Sequence, residues 1–120
     1  MKEILNLTQH NATADQIADG VIEPTDKVRI QELLTFEELP NRELLEKRAA
    51  ELAGIAAVTG YEKAMIGGAP FFMAPLESAL QDRRIQPVYA FSVRKSCEST
   101  DPATGLVTKT NIFEHRGWVV

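Results

Sequence analysis

The sequence predicts a small α/β fold, in which a parallel sheet is flanked by helices and antiparallel strands are added at the C-terminal edge. Two observations lead to this fold class. Over most of the chain, short apolar segments alternate with helix-like segments, and strands separated by helices pair in parallel. The chain then ends in two stretches rich in Val, Thr, Phe and Trp, Leu106 to Thr110 and Ile112 to Val120, after the turn-forming residues Pro102 to Gly105.

The strands of the parallel sheet are predicted from short apolar segments bounded by polar or turn-forming residues. These segments are Ile4 to Leu7, Val21-Ile22, Lys63 to Ile66 and Val88 to Val93. The third is followed directly by Gly67-Gly68, and the fourth by Arg94-Lys95-Ser96. Both of these strands are therefore predicted to end in residues suited to binding an anion.

The helices are predicted from capping residues and from apolar residues spaced three and four apart. They are Ala14 to about Asp19, a helix-like piece from Thr25-Asp26 to Leu34, Arg42 to about Thr59, and Pro70 to Arg83 or Arg84. The third is the clearest, because Asn41 can cap its start and Gly60 can end it. Pro75 lies inside the fourth and predicts either a kink or a later helix start.

Of the 120 residues, 44% are hydrophobic and 25% are charged, which is typical of a globular protein. At this length we expect one domain over residues 1–120. A single cysteine, Cys97, excludes an internal disulfide and fits a reducing, cytoplasmic setting. The opening Met1 to Asn6 turns polar too early for a signal peptide. No apolar run approaches the roughly 20 residues that cross a bilayer, so no membrane partner is expected.

The charge distribution bears on the kind of ligand. The formal net charge of −4 argues against binding duplex nucleic acid, which favours basic proteins. The charge is uneven, however: residues 1–62 carry 6 basic and 12 acidic side chains, and residues 63–120 carry 7 basic and 5 acidic ones. Acidic helices can simply be well solvated. The cationic second half can instead hold a small anion.

Candidate site residues follow three of the predicted parallel strands, and ligands of open α/β sheets bind beyond the carboxyl ends of such strands. The three groups are Thr8, Gln9 and His10; Gly67 and Gly68; and Ser92, Arg94, Lys95 and Ser96. Because the strands are expected to be parallel, all three groups are expected at one edge of the sheet. This convergence predicts a binding site there.

Each group has a functional and a structural interpretation. Gly67-Gly68 can expose backbone N–H groups to an anion at a helix N-terminus, or can form only a tight strand-to-helix turn. Arg94 and Lys95 can bind phosphate, or can be a solvated surface pair. His10 can act as a proton donor, a base or a phosphate contact, or can serve as a hydrogen-bond partner in its loop.

Other chemically capable residues are better explained by structure. Glu114 and His115 are neighbours in a strand, so they should point to opposite faces and are no acid–base pair. His115 is expected at the edge of the core, and Trp118 is expected to anchor a C-terminal strand. Phe71, Phe72 and Met73 are expected to pack in the core. The histidines and carboxylates show no metal-ligand spacing, so neither a metal nor a cofactor is expected.

Several motifs together resemble small CRISPR-associated proteins of the ring-nuclease type. The motifs are Leu5-Asn6-Leu7-Thr8-Gln9-His10, Thr13-Ala14-Asp15-Gln16-Ile17, Met65-Ile66-Gly67-Gly68, Ile85 to Lys95, and Ile112-Phe113-Glu114-His115-Arg116. The resemblance covers most of the chain outside residues 22 to 62. It implies a Rossmann-like (CARF-like) domain, a homodimer, and binding of cyclic oligoadenylate.

The resemblance also implies a metal-independent phosphodiesterase in which a ribose 2′-OH attacks the adjacent phosphodiester, which would switch off type III CRISPR signalling. Thr8, Gln9, Ser92 and Ser96 would contact ribose or phosphate, and Gly67 and Gly68 would cradle phosphate. Arg94 and Lys95 would stabilise the developing charge, and His10 would protonate the leaving 5′ oxygen. Three alternatives stay open: a non-catalytic cyclic-nucleotide sensor or sponge, an interaction protein using its acidic helices, and a metabolic enzyme on a similar fold.

Overall fold

The computed structural model describes residues 3–120 and has a mixed five-stranded sheet with the strand order β2-β1-β3-β4-β5. The strands are β1 (Ile4–Asn6), β2 (Val21–Ile22), β3 (Lys63–Met65), β4 (Gln86–Thr100) and β5 (Val107–Val119). The first four in spatial order pair in parallel, and β5 pairs antiparallel with β4. The predicted α/β class, with helices flanking a parallel sheet and an antiparallel C-terminal edge, is confirmed. Met1 and Lys2, which belong to the domain predicted over residues 1–120 and open the stretch judged too polar for a signal peptide, lie outside the described residues.

The helices are α1 (Ala14–Ala18), α2 (Lys27–Leu34), α3 (Arg42–Thr59) and α4 (Pro70–Asp82). The bounds of α3 match the prediction because both end signals operate. The Asn41 side chain accepts a hydrogen bond from Leu44 N, and Gly60 adopts a left-handed conformation with φ 79°. The predicted start of α4 at Pro70 is confirmed, and the helix runs on through Pro75, so the alternative of a later start does not occur.

The C-terminal strands differ most from the prediction. β4 does not end at Val93 but continues to Thr100, and β5 is one strand where two were predicted. The two form a long antiparallel hairpin closed by a turn at residues 101–106, with a register shift between Phe91 and Ser92 where Arg116 is the extra residue of β5. The hairpin lengthens the molecule to 58 × 38 × 24 Å, with a radius of gyration of 17.5 Å. A compact chain of this length would have a radius of about 14 Å.

The sheet separates two apolar clusters. The larger one lies between the sheet and helices α2, α3 and α4, and contains the fully buried Phe72, Leu52 and Leu76. The smaller one, on the opposite face, contains Ile4, Val21, Met65 and Val88, with Ala12, Ala90 and Trp118 against it. Trp118 thus anchors the C-terminal strand, as predicted. Across residues 3–120, no helix is both long and apolar enough to span a membrane.

Candidate functional site at the strand ends

A pocket of about 410 Å³ lies at the carboxyl ends of β1, β3 and the parallel part of β4. Its lining comprises Thr8, Gln9, His10, Asn11, Thr13, Gln16, Met65, Ile66, Gly67, Gly68, Tyr89 and Ala90. The first two predicted groups, at residues 8–10 and 67–68, therefore do meet in one cavity. The other lining residues were not among the predicted site residues: Asn11, Thr13, Gln16, Met65, Ile66, Tyr89 and Ala90.

The loop that carries the first group is shaped by a buried amide. Asn6, the last residue of β1, is fully buried. Its Oδ1 accepts hydrogen bonds from Thr8 N (2.9 Å) and Thr8 Oγ1 (2.6 Å). Its Nδ2 donates to the His10 carbonyl (2.8 Å) and to Glu23 Oε1 (2.5 Å). The amide thus bonds two residues of the loop at once and fixes the turn immediately after the strand.

Lys27 and Glu23 complete this support. Lys27, at the start of α2, donates from Nζ to the carbonyls of Thr8 (2.9 Å) and His10 (2.8 Å). Glu23 Oε1 also accepts from Ala12 N at 3.0 Å, and Glu23 Oε2 lies 3.7 Å from Lys27 Nζ. Sequence reasoning missed both residues, because their contacts with β1 and its loop link positions 11 to 19 residues apart. The only local signal was the polar Asn6 within an apolar strand.

The polar side chains of Thr8 and Gln9 are already engaged in positioning the loop. The Thr8 hydroxyl donates to Asn6 Oδ1 and lies 3.1 Å from the His10 carbonyl. Gln9 Nε2 donates to Thr35 Oγ1 at 2.9 Å, and the Gln9 carbonyl accepts from Gln31 Nε2 at 2.9 Å. Both residues line the pocket, but their side-chain donors are already engaged with acceptors of the protein. These two residues can therefore bind a ligand through their acceptor atoms and through the shape that they give the pocket wall.

On the opposite wall, the turn between β3 and α4 presents backbone donors. No acceptor within residues 3–120 takes a hydrogen bond from the backbone N–H of Gly67, Gly68 or Ala69. Gly68 has φ 137°, a conformation that residues with a Cβ rarely adopt. Pro70 occupies the first turn of α4, where its missing N–H costs nothing. The turn can thus direct free N–H groups, with the helix dipole behind them, at a negatively charged group.

The two glycines are expected to respond differently to alanine substitution. At Gly67 a Cβ would lie 3.8 Å from Thr8 Cγ2, an ordinary contact, so Gly67→Ala should be tolerated. Gly68→Ala places a Cβ at a positive φ and should lower the free energy of unfolding by about 1–3 kcal/mol. Urea denaturation of both variants measures the difference. Equal effects of the two substitutions would contradict the strain argument.

His10 and Tyr89 are the titratable side chains in the lining. His10 is exposed, and among the described residues no group bonds to its imidazole. Tyr89 donates from its hydroxyl to Glu77 Oε2 at 2.5 Å. Burial, together with the hydrogen bond to Glu77, raises the pKa of Tyr89 to about 12. Tyr89 therefore stays protonated and its ring forms part of the pocket wall, whereas the His10 imidazole has no bonded partner among the described residues.

The Glu23 carboxylate makes the stability of the loop dependent on pH. Burial raises the pKa of Glu23, but the hydrogen bonds from Asn6 and Ala12 and the charge of Lys27 outweigh it and leave the pKa lowered. A lowered folded-state pKa contributes stability above the ordinary value of 4.5, which is lost as the pH falls through the folded value. Glu23→Gln should therefore flatten the decline in unfolding free energy between about pH 5 and pH 3. Denaturation across that range tests this, and parallel profiles for the two proteins would refute it.

The third predicted group does not join the pocket. Because β4 continues past Val93, Ser92, Arg94, Lys95 and Ser96 lie along the hairpin, and the expectation that they share the pocket edge is wrong. The Arg94 guanidinium lies 5.8 Å from the centre of the Phe113 ring, and Lys95 Nζ lies 3.6 Å from Glu114 Oε2. Both cations are exposed and paired within the hairpin.

The remaining sequence candidates are placed as follows. Glu114 and His115 point to opposite faces, as predicted: Glu114 lies beside Lys95, and His115 Nε2 lies 3.0 Å from Asp19 Oδ2. The His115 ring also packs edge-on against Trp118. Cys97 is exposed on the hairpin. Within residues 3–120, no three His, Cys, Asp or Glu side chains are grouped so that they could hold a metal ion.

A second cavity, of about 580 Å³, lies between α2 and α3. It is lined by Val28, Gln31, Glu32, Thr35, Phe36, Glu37, Glu38, Leu39, Leu44 and Arg48. The Arg48 guanidinium lies over the Phe36 ring (4.7 Å to its centre) and donates to the Thr35 carbonyl at 2.6 Å. Since three glutamates line this cavity and its one arginine is engaged, it does not favour an anionic ligand. The strand-end pocket is the better candidate for one.

Comparison with known proteins places the chain in a family. No curated protein and no solved structure is similar enough to count as a match. The sequence matches the family described as "Uncharacterized protein MJ1673 family" over residues 2–119, which is nearly the whole chain. That span contains the β1 loop, the Gly67-Gly68 turn and the hairpin together. The chain therefore belongs to the MJ1673 family.

Proposed function

We propose that this protein binds cyclic oligoadenylate in the strand-end pocket and cleaves it without a metal, by attack of a ribose 2′-OH on the adjacent phosphodiester. The observation that carries the proposal is that residues 8–10 and Gly67-Gly68 face one cavity. One wall offers free backbone N–H groups for a phosphate, and the other carries the unpaired imidazole of His10. The sequence resemblance to ring nucleases supplies the identity of the ligand.

In the proposed reaction, the 2′ oxygen attacks phosphorus in line with the leaving 5′ oxygen, and the bond from phosphorus to that oxygen breaks. The products are a 2′,3′-cyclic phosphate and a 5′-hydroxyl, so the ring is opened without a net gain of water. The 2′-OH gives its proton to solvent, and His10 supplies one to the 5′ oxygen. The N–H groups of Gly67 and Gly68 stabilise the charge that develops on the phosphate oxygens. Holding the ribose in line for the attack supplies the remainder of the rate enhancement.

The test is incubation of the protein with cyclic tri-, tetra- and hexa-adenylate in EDTA, with products separated by chromatography. We expect a linear product with a 2′,3′-cyclic phosphate end from at least one ring. His10→Ala should slow its formation by about 10²-fold or more, with little change in binding. Lys47→Ala, on the exposed face of α3, is the control and should cleave at the original rate. If all three rings stay intact at high protein concentration, the protein is not a ring nuclease.

A non-catalytic sensor is the second candidate, and one observation favours it. Among the described residues, the pocket lining contains no lysine or arginine side chain to neutralise the charge of a transition state. A sensor needs only to bind, for which the N–H groups of Gly67 and Gly68 are suited. Calorimetric titration with each ring, followed by recovery of the ligand, separates the candidates. Tight binding with intact ligand recovered would replace the first proposal by this one.

A further inference from the structure

The outer part of the hairpin, residues 91–116, lacks the support that the rest of the sheet has. Within residues 3–120, β4 and β5 pair only with each other over this part, and no third strand pairs with either of them. A two-stranded hairpin is only marginally stable in water without a further strand or a packed face. One face of this hairpin nevertheless exposes Phe91 and Val93 of β4 and Ile112 of β5, which are 51%, 39% and 46% exposed. The outer part of the hairpin is therefore free to bind a further strand or another protein surface.

The backbone groups that could pair with a further strand lie along the inner edge of β4, which is the edge that faces β3. Gln86 N donates to the Glu62 carbonyl and the Val88 carbonyl accepts from Ile66 N, so even-numbered residues of β4 face β3. β3 pairs with β4 only as far as Val88. Beyond that point, the N–H and C=O groups of Ser92, Arg94, Ser96 and Glu98 face no strand within residues 3–120. Such an open edge is a template for another strand.

The side chains along this edge are complementary to themselves. In an antiparallel pair of two identical edges related by a twofold axis at Ser96, Arg94 of each copy lies opposite Glu98 of the other. The alignment also places Ser92 opposite Thr100. Each of these residues has its backbone groups on the open side, so about ten hydrogen bonds can form across the pair. Opposite charges that face each other across strands favour that alignment.

We propose that two copies of this chain pair through the inner edges of β4, antiparallel and centred on Ser96, so that the two hairpins form one continuous four-stranded sheet. The outer edge of β5 is less suited, because the extra residue Arg116 disrupts its alignment and bulges of this kind protect edges from pairing. The proposed pairing does not depend on the proposed function. The pairing would nevertheless affect the pocket. Thr100 of one copy would lie opposite Ser92 of the other, two residues beyond the pocket residue Ala90. Each hairpin turn would then help to close the other copy's pocket.

Charge reversal tests both the contact and its alignment, by sedimentation equilibrium over a range of protein concentrations without nucleotide. We expect the unaltered chain to be a dimer. Arg94→Glu and Glu98→Arg should each weaken self-association by about tenfold or more, because each places like charges opposite one another twice. Lys47→Glu makes the same charge change as Arg94→Glu but on α3, and should leave the dimer intact. Circular dichroism checks that each variant is folded.

Recombining the reversed charges distinguishes this pairing from any other. An equimolar mixture of the Arg94→Glu and Glu98→Arg proteins should form a heterodimer, because each variant then meets the charge it lacks. A protein carrying both substitutions should dimerise like the unaltered chain. A monomer at all concentrations would overturn the proposal and leave the edge to a different partner. A dimer that neither reversal weakens, or a mixture that stays monomeric, would overturn it as well.

Discussion

Replacing Phe72 by alanine is expected to lower the free energy of unfolding by about 3–5 kcal/mol, because a fully buried aromatic ring is removed. The ring lies in the larger apolar cluster between the sheet and helices α2, α3 and α4, and contacts Phe36 edge-on at 5.3 Å between ring centres. The void cannot be refilled cheaply, because the backbone on either side is held by α4 and the sheet. Urea or thermal denaturation of Phe72→Ala measures the loss.

The adjacent Phe71 provides the matched control. It also contacts Phe36, at 5.2 Å between ring centres, but it is 51% exposed. Phe71→Ala therefore removes the same chemical group from the same turn of α4 without opening a buried void, and should cost about 1 kcal/mol. Losses of similar size for the two variants would show that the position of Phe72 in the core is misassigned. Both residues were predicted to pack in the core, and only Phe72 is fully buried.

Elements defined by neighbouring residues could be predicted from the sequence. The start and end of α3 depend on Asn41 and Gly60, which act within three residues of the helix ends. The short β1 and β3 strands and the turn at Gly67-Gly68 are similarly marked by local changes from apolar to polar or glycine residues. Because the parallel arrangement followed from the alternation of these elements, the meeting of residues 8–10 with Gly67-Gly68 could also be predicted.

The hairpin could not be predicted in the same way, because its strands are defined by each other. Residues 94–100 contain one apolar side chain, Cys97, and no alternation that marks a strand. They are extended because β5 pairs with them, from Lys95 opposite Ile112 to Thr100 opposite Val107. The position assigned to Arg94 and Lys95 depended on where β4 ends, so this one misjudged boundary moved both cations out of the predicted site.

The other large effect is expected at Asn6, where Asn6→Leu should lower the free energy of unfolding by about 3 kcal/mol. Leucine has a similarly branched, apolar side chain, but it can neither accept from Thr8 nor donate to His10 and Glu23. The half-buried Thr8 N–H would then lose its acceptor, and Glu23 would lose one donor while keeping Ala12 N and Lys27. An unsatisfied buried group costs about 1–3 kcal/mol. The loop should also lose its shape, so ligand binding in the pocket should fall together with stability.

Asn6→Asp separates the donor role of the amide from its acceptor role. Aspartate keeps the oxygen that accepts from Thr8 but places a second carboxylate against Glu23 Oε1, where Nδ2 now lies at 2.5 Å. At neutral pH this variant should be at least as unstable as Asn6→Leu, because a buried carboxylate would lie against the Glu23 carboxylate. Burial and the Glu23 charge would raise the pKa of the new carboxyl. As the pH is lowered, the folded state would therefore bind a proton at a higher pH than the unfolded state does.

The stability deficit of Asn6→Asp, measured against the unaltered chain, should therefore shrink as the pH falls through that raised pKa, whereas the deficit of Asn6→Leu should not shrink in this way. The protonated carboxyl regains an O–H donor for Glu23, which restores one of the two missing bonds. Denaturation of both variants from about pH 7 to pH 5 gives the comparison. If the two deficits remained parallel over that range, the donation from Asn6 to Glu23 would not be what holds the loop. A convergence would show that one buried amide links the end of β1 to the wall of the pocket.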